Sequence, residues 1–333
     1  MAVKRKEQSI ETIRGVAIIL MVAGHVIGNR SDTGLMVDDH SVWRYIYHSF
    51  EYLRMPLFTA ISGFVYALKP VTTQTISRFL SGKSRRILLP FVFVSTLQYF
   101  VNVFAPDVNN RAELSQIWRI YIYSYAQFWF LQALFLVFIT VALLEAGNVF
   151  ISFKGWLISL GTAILILIAA APFVMTTFLS FTSYLYLLPF FLLGIGINRY
   201  SAKLFRRPNL VTIFVLMLAG IAIQQLNWFG MIELQDAKYG MLGTFIGLTG
   251  IFLIFFIRKS NRILAELGYY SYGIYLFHVF GTAGSRIVSR WIGIEGLFPL
   301  FLIGLLLGLG FPILLELLLM KSRIPRRLFL GLK

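Results

Sequence analysis

Stretches of mostly apolar residues, each about 20 residues long, recur throughout this 333-residue chain and limit the folds open to it. A helix of that length can cross a lipid bilayer, because it satisfies its backbone hydrogen bonds internally. Ten such windows occur, at 10–28, 50–68, 87–105, 126–144, 155–174, 183–198, 209–226, 239–257, 272–292 and 297–319. The sequence therefore predicts an all-α, polytopic transmembrane helix bundle with ten spans.

The composition favours a membrane protein over a soluble one. Charged residues make up 13% of the chain, against roughly 25% in ordinary soluble proteins, and the mean hydropathy is +0.77. In a soluble chain, the formal net charge of +16 would suggest nucleic-acid binding, whereas here we predict no nucleic-acid partner. The sequence has no cysteine, which excludes disulfides, thiolate nucleophiles and cysteine-ligated metals, and we predict no metal site.

The positive residues fall mainly on alternate loops. Ten spans place both termini on one side, and 21 of the 30 Lys and Arg residues fall on that side, against seven on the other. The 21 positive residues on the side of the termini include residues 4–6, and the seven on the opposite side include Lys238. Because cytoplasmic loops are enriched in Lys and Arg, this distribution predicts a cytoplasmic N-terminus and C-terminus. The ninth window contains Arg286 and Arg290, and a re-entrant segment at its start is an open alternative.

Two polar residues in the first window suggest a function, because charge at membrane depth is costly. Arg14 and His25 are eleven residues apart, which is about three helical turns, so both would face the same way about 16 Å apart along the axis. That face would carry a cation near the cytoplasmic surface of the membrane and a titratable base toward the opposite surface. The alternatives are that Arg14 reaches the inner headgroups or pairs with Glu11, and that His25 is a hydrogen-bonded packing residue.

The second window begins with a carboxylate and contains small residues. Glu51 enters this span from the outer side, so its depth should approach that of His25. It would then orient the imidazole and stabilise its protonated form, unless it is a solvated interfacial side chain. Ser62 and Gly63 are small enough to allow close helix packing.

A basic cluster precedes the third window. Lys83, Arg85 and Arg86 stand where that helix is expected to start, and basic side chains there can hold phosphate together with the helix N-terminal donors. The positive-inside rule alone also produces such a cluster.

The ninth window carries a polar face. Ser271, Tyr275 and His278 follow at i, i+4 and i+7, which places them on one side of a helix. An interfacial belt of tyrosines is the competing interpretation.

Several motifs of the chain occur together and in order in one known family. They are Arg14-Gly15 through His25, Met55-Pro56-Leu57-Phe58 through Ser62-Gly63-Phe64, Arg86 to Pro90, Trp129-Phe130-Leu131, Leu188 to Gly194, and Ser271 to His278. On these residues the chain resembles the acyltransferase-3 family of integral membrane acyltransferases. The resemblance implies a single membrane domain over residues 1–333. The chain ends fourteen residues past Leu319, so we expect no appended soluble domain.

The resemblance also implies an activity. The donor would be acetyl-CoA or another acyl-CoA bound from the cytoplasm, and no cofactor would be held permanently. The acceptor would be a hydroxyl of a surface carbohydrate or a lipid-linked glycan. His25 would be the acid/base, and Arg14 with Lys83, Arg85 and Arg86 would hold the donor's phosphates.

Further residues would support that chemistry. Glu51 would offset the cost of imidazolium formation, and Ser62, Trp129 or Tyr275 would donate hydrogen bonds to the thioester oxygen as charge develops there. His278 would support the substrate site.

The alternative function is a transporter or flippase for a glycan or lipid intermediate, with Arg14 and His25 lining its path. Transporters often show internal repeats, and the sequence shows none. In either case we expect a multi-pass protein of a bacterial cell (inner or plasma) membrane. It would contact membrane lipids, and a homo-oligomer is an open alternative.

Overall fold

The structure, a computed structural model, describes residues 7–105, 111–170, 173, 176–234 and 239–333. The topology predictions for residues 4–6 and Lys238 lie outside the described residues, as does part of the 155–174 window. The described residues form helices joined by turns and loops, and they contain no strand. The predicted all-α class is confirmed.

Fifteen α-helices follow one another along the described residues. They are α1 (Gln8–Ile27), α2 (Val42–Ser49), α3 (Glu51–Ala67), α4 (Ile76–Lys83), α5 (Leu89–Phe104), α6 (Arg119–Ile122), α7 (Trp129–Ala146), α8 (Phe153–Ala170), α9 (Phe181–Leu204), α10 (Arg207–Trp228), α11 (Met241–Ile257), α12 (Arg262–Tyr269), α13 (Ser271–Trp291), α14 (Leu297–Leu319) and α15 (Arg323–Leu330). A π-helical turn joins α4 to α5 at Ser84–Leu88, and short 3₁₀ turns occur at Leu114–Gln116, Ala126–Phe128 and Val149–Ile151.

Seven helical stretches within the described ranges are long and apolar enough to cross a membrane. They are Gln8–Ile27, Ile76–Phe104, Ala126–Ala146, Phe153–Ala170, Phe181–Leu204, Arg207–Trp228 and Leu297–Leu319. The other three predicted windows coincide with α3 and α11, which have 17 residues each, and with α13, which carries Arg286 and Arg290. These helices indicate a multi-pass membrane protein, whereas the count of ten spans and the side of the termini stay predictions.

The first of two compact units comprises Met1–Glu51, Lys83–Leu131 and Ser260–Lys333. Within it α1 packs against α12, α13 and α14, and α13 packs along α14. Two glycines bring the backbones of α1 and α12 together. A Cβ on Gly15 would fall on the carbonyl oxygen of Leu264, and one on Gly268 would fall on that of Glu11.

The second unit comprises Tyr52–Gly82 and Gln132–Lys259. In it α9 packs against α8 and α11, and α10 packs against α11. The predicted close packing at Gly63 is confirmed, because a Cβ there would fall on the carbonyl oxygen of Phe191 in α9. Glycine therefore sets the helix spacing in this unit as well.

Candidate active site

The first unit contains a cavity of about 280 Å³ with His25 in its wall. Its polar lining is supplied by His25, Thr33, Gln98, Gln127, Thr282, Ser285 and Arg286. The remaining wall is apolar and includes residues of α1, α13 and α14. A mostly apolar pocket with a few polar groups that converge on it is typical of a small-molecule site.

Helix α1 places His25 at the cavity. It continues without interruption from Gln8 to Ile27, so Arg14 and His25 share one helix, with His25 exposed in the last turn. The helix ends at Gly28, whose φ of 85° is readily adopted only by glycine. The chain then folds back, and the Leu35 N–H donates to the Ile27 carbonyl oxygen at 3.1 Å.

Two arginines stabilise the loop that follows α1 by hydrogen bonds to its backbone. Arg44 is 1% exposed and donates to the carbonyl oxygens of Gly28 and of Val37, the latter at 3.3 Å. Arg286 donates to the carbonyl oxygen of Gly34 at 2.9 Å. The sequence alone predicts no site role for either arginine, whereas in the structure Arg286 lines the cavity and Arg44 stabilises the loop that follows α1.

His25 lies beside a second histidine. The ring centroids of His25 and His278 are 4.6 Å apart, and the planes are inclined by 55°. His278 is wholly buried on α13, together with Ser271 and Tyr275 of the predicted polar face. The sequence contained no signal for this pairing, because it joins residues of two helices far apart in the chain.

Tyr275 belongs to a buried hydrogen-bond chain. Its hydroxyl donates to the backbone carbonyl of Gln127 at 2.6 Å, and Gln127 Nε2 donates to Gln98 Oε1 at 2.7 Å. The Tyr275 hydroxyl hydrogen is thus engaged here rather than directed at a substrate. Neither glutamine was predicted as a site residue, although an amide inside an apolar window was a usable signal.

Tyr125 directly precedes the 3₁₀ turn Ala126–Phe128, which contains Gln127. Burial raises the pKa of its hydroxyl to about 12, opposed by a hydrogen bond from Asn102 Nδ2 at 2.9 Å. The phenol therefore stays protonated at neutral pH and keeps a donor hydrogen.

Arg14 has the partner that the alternative interpretation named. Its Nη1 lies 2.8 and 2.7 Å from the two carboxylate oxygens of Glu11. Glu11 is buried where α1 crosses α12, and Arg14 is largely buried beside it. The pair is a local, nearly neutral unit about three turns below His25.

The basic cluster does not mark a helix start. A helix continues from Ile76 to Phe104, and Arg85 and Arg86 lie inside it, in the π-helical turn. The expectation that helix N-terminal donors support this cluster is therefore wrong, because the N–H groups of an uninterrupted helix are engaged within it. Lys83 ends α4, directly before the turn.

Two hydrogen bonds fix the π-helical turn. Pro90 has no N–H to donate to the carbonyl oxygen of Arg86 four residues earlier, and the Tyr272 hydroxyl donates to that oxygen instead. Arg85 Nε donates to the carbonyl oxygen of Gly331 at 3.3 Å, directly after α15. The Arg85 side chain therefore contacts the C-terminal segment.

The remaining predicted residues have contacts of their own. Glu51 Oε2 lies 3.1 Å from Nδ1 of His48, the residue three positions earlier. Ser62 belongs to the second unit, and its hydroxyl donates to the carbonyl oxygen of Phe58 at 2.9 Å. Trp129 begins α7 and packs edge-on against the ring of Phe130.

Comparison with models of known protein families identifies the family of the chain. The family model described as an acyltransferase domain, acyltransferase-3, matches residues 7–317, from the start of α1 nearly to the end of α14. No curated protein and no solved structure matches the chain.

Proposed function

Because the chain belongs to the acyltransferase-3 family, whose model covers residues 7–317, we propose that it is a membrane O-acyltransferase. The donor is an acyl-CoA, acetyl-CoA in the first instance, bound from the cytoplasm. The acceptor is a hydroxyl of a surface carbohydrate or of a lipid-linked glycan.

The main observation in support of this proposal is the position of His25. Its ring is exposed to a cavity whose lining also includes the amides of Gln98 and Gln127. Such groups can bind a polyhydroxy acceptor by hydrogen bonds, and an imidazole among them has the right chemistry for a general base.

That arrangement supports a reaction in which one histidine acts as base and then as acid. His25 takes the proton of the acceptor hydroxyl as its oxygen bonds to the thioester carbonyl carbon. The tetrahedral intermediate then loses its carbon–sulfur bond, and the imidazolium returns the proton to the departing thiolate. The products are the ester and free CoA, and His25 is neutral again.

The donor's phosphates would lie toward the other end of α1. Arg14 is about 16 Å from His25 along the helix, a distance suited to an extended arm between phosphates and thioester. Arg86 and Lys83 are further cations for those phosphates. Glu51, Ser62 and Trp129 stay candidates for supporting roles on the strength of the sequence.

Purified protein in detergent, given radiolabelled acetyl-CoA and glycan or lipid extracts as acceptors, tests the proposal. His25→Ala should lower acyl transfer by about 10²- to 10⁴-fold, the usual contribution of a general base. The matched control is His40→Ala, since His40 is exposed on a loop outside the cavity lining. Full transfer by His25→Ala would exclude this mechanism. Glycan movement across the membrane of vesicles that contain the protein, without acylation, would favour a transporter.

A further inference from the structure

His278 presents a buried ring nitrogen that lacks a hydrogen-bond partner. Its Nδ1 lies 2.9 Å from the carbonyl oxygen of Tyr275 and 3.2 Å from that of Ile274. Carbonyl oxygens only accept, so the proton of the neutral ring is assigned to Nδ1. Nε2 then carries a lone pair, and it is fully buried without a donor.

A buried acceptor atom without a hydrogen-bond partner in this conformation indicates that it accepts a hydrogen bond in another conformation of the protein. Leaving such an atom unpaired costs about 1–3 kcal/mol, so it calls for a role. The ring of His25 lies beside it, at a centroid separation of 4.6 Å and an inclination of 55°. Since the His25 ring is exposed, a rotation of that ring can bring one of its N–H groups to Nε2.

We propose that His278 is a positioning residue for His25. Nε2 of His278 accepts a hydrogen bond from one N–H of His25, which directs the other, unprotonated nitrogen of His25 into the cavity. His278 is fixed by two backbone carbonyls, so it holds the His25 tautomer as the third member of a triad holds a catalytic base. In its catalytic part this inference rests on the proposed function.

During transfer the cavity-facing nitrogen of His25 takes the hydroxyl proton and later gives it to the departing thiolate. The N–H that faces His278 stays on His25 throughout. Because a hydrogen bond to a charged group is stronger than one to a neutral group, the bond to His278 lowers the free energy of the imidazolium.

The chemistry of the cavity favours this assignment. Among the described residues that line it there is no carboxylate, although Asp and Glu usually orient a catalytic histidine. Glu51, the orienting residue expected from the sequence, lies 3.1 Å from His48. The cationic group in the lining is Arg286, which can donate but not accept.

Histidine ¹⁵N NMR tests the pairing without any need for activity. The chain has four histidines, so labelled protein in detergent gives few signals, and His278→Asn assigns the relevant one. We expect a protonated Nδ1 and a bare Nε2 on His278, with an Nε2 shift that changes in His25→Ala. A protonated Nε2, or the same Nε2 shift in both proteins, would overturn the pairing.

Two substitutions then test the catalytic role. In His278→Gln the side-chain oxygen can reach the place of Nε2, whereas the shorter amide of His278→Asn reaches only the place of Nδ1. With His40→Gln as the control, His278→Asn should lower kcat by about tenfold to hundredfold at unchanged KM, and His278→Gln should recover most of that kcat. An equal loss of kcat in the two folded variants would overturn the positioning role.

If the wild-type protein itself transfers no acyl group, the proposed function is contradicted. The NMR result then decides whether His25 and His278 are paired.

Discussion

Arg14 and Glu11 form an ion pair on the first helix, with Arg14 Nη1 2.7 Å from one carboxylate oxygen and 2.8 Å from the other. Donor phosphates that bind Arg14 must therefore compete with a carboxylate already in place. Glu11 is itself buried, and its backbone packs closely against Gly268 of α12. The strength of donor binding should depend on both members of the pair.

Replacing Glu11 should strengthen donor binding. We expect Glu11→Gln to lower the KM for acetyl-CoA by about twofold to tenfold, since it removes a competing negative charge, while Arg14→Gln should raise that KM. Steady-state kinetics at varied donor concentration measure both. A higher KM for Glu11→Gln would mean that Glu11 holds Arg14 in its binding position.

The two arginines of the π-helical turn should behave differently. Arg85 contacts the Gly331 carbonyl, so Arg85→Ala should loosen α15 and speed hydrogen exchange over residues 323–330. Arg86→Ala should leave that exchange unchanged and raise the KM for acetyl-CoA. Exposed Arg78 of α4 provides the matched control, and an identical exchange pattern in Arg78→Ala and Arg85→Ala would contradict the assignment.

The fold class and the first helix followed from the sequence because hydropathy and helical spacing are local properties. Arg14, His25 and Glu11 lie within about four turns of one helix, and 3.6 residues per turn fixes their relative directions. The pairing of His25 with His278 depends on how α1 packs against α13, which no local pattern encodes.

The basic turn shows a second limit. The apolar window at 87–105 predicts a helix that begins directly after the basic cluster. The structure instead continues the helix through Pro90 by means of a π-helical turn and the hydroxyl of Tyr272. That solution depends on a side chain 182 positions later, and hence on tertiary structure.

The glutamine pair should be important for stability. Gln98 and Gln127 are both buried, and their amides hydrogen-bond to each other at 2.7 Å. Gln98→Leu should lower the free energy of unfolding by about 1–3 kcal/mol, because it leaves the Gln127 amide without its partner. Thermal unfolding in detergent measures the loss. The double change Gln98→Leu/Gln127→Leu should recover part of it, and strictly additive losses would show that the pair is not coupled.

Close packing in the second unit can be tested with two alanine substitutions. A Cβ on Gly63 meets the backbone of Phe191, so Gly63→Ala should destabilise the protein by about 1–3 kcal/mol. Gly161 of α8 has open space around it, so Gly161→Ala should be neutral or should stabilise the helix by up to about 1 kcal/mol. Equal unfolding temperatures for the two variants would contradict the packing role of Gly63.

The orientation of the chain can be measured directly, because the sequence has no cysteine to remove first. Asp38 and Ala202 are both exposed, and the charge distribution assigns them to opposite sides of the membrane. In intact cells, a membrane-impermeant thiol reagent should label Asp38→Cys and should label Ala202→Cys only after the membrane is permeabilised. The reverse pattern would place the termini outside and move the Arg14 end of α1 away from cytoplasmic acyl-CoA. Labelling of both from one side would instead show that the number of spans between them is even rather than odd.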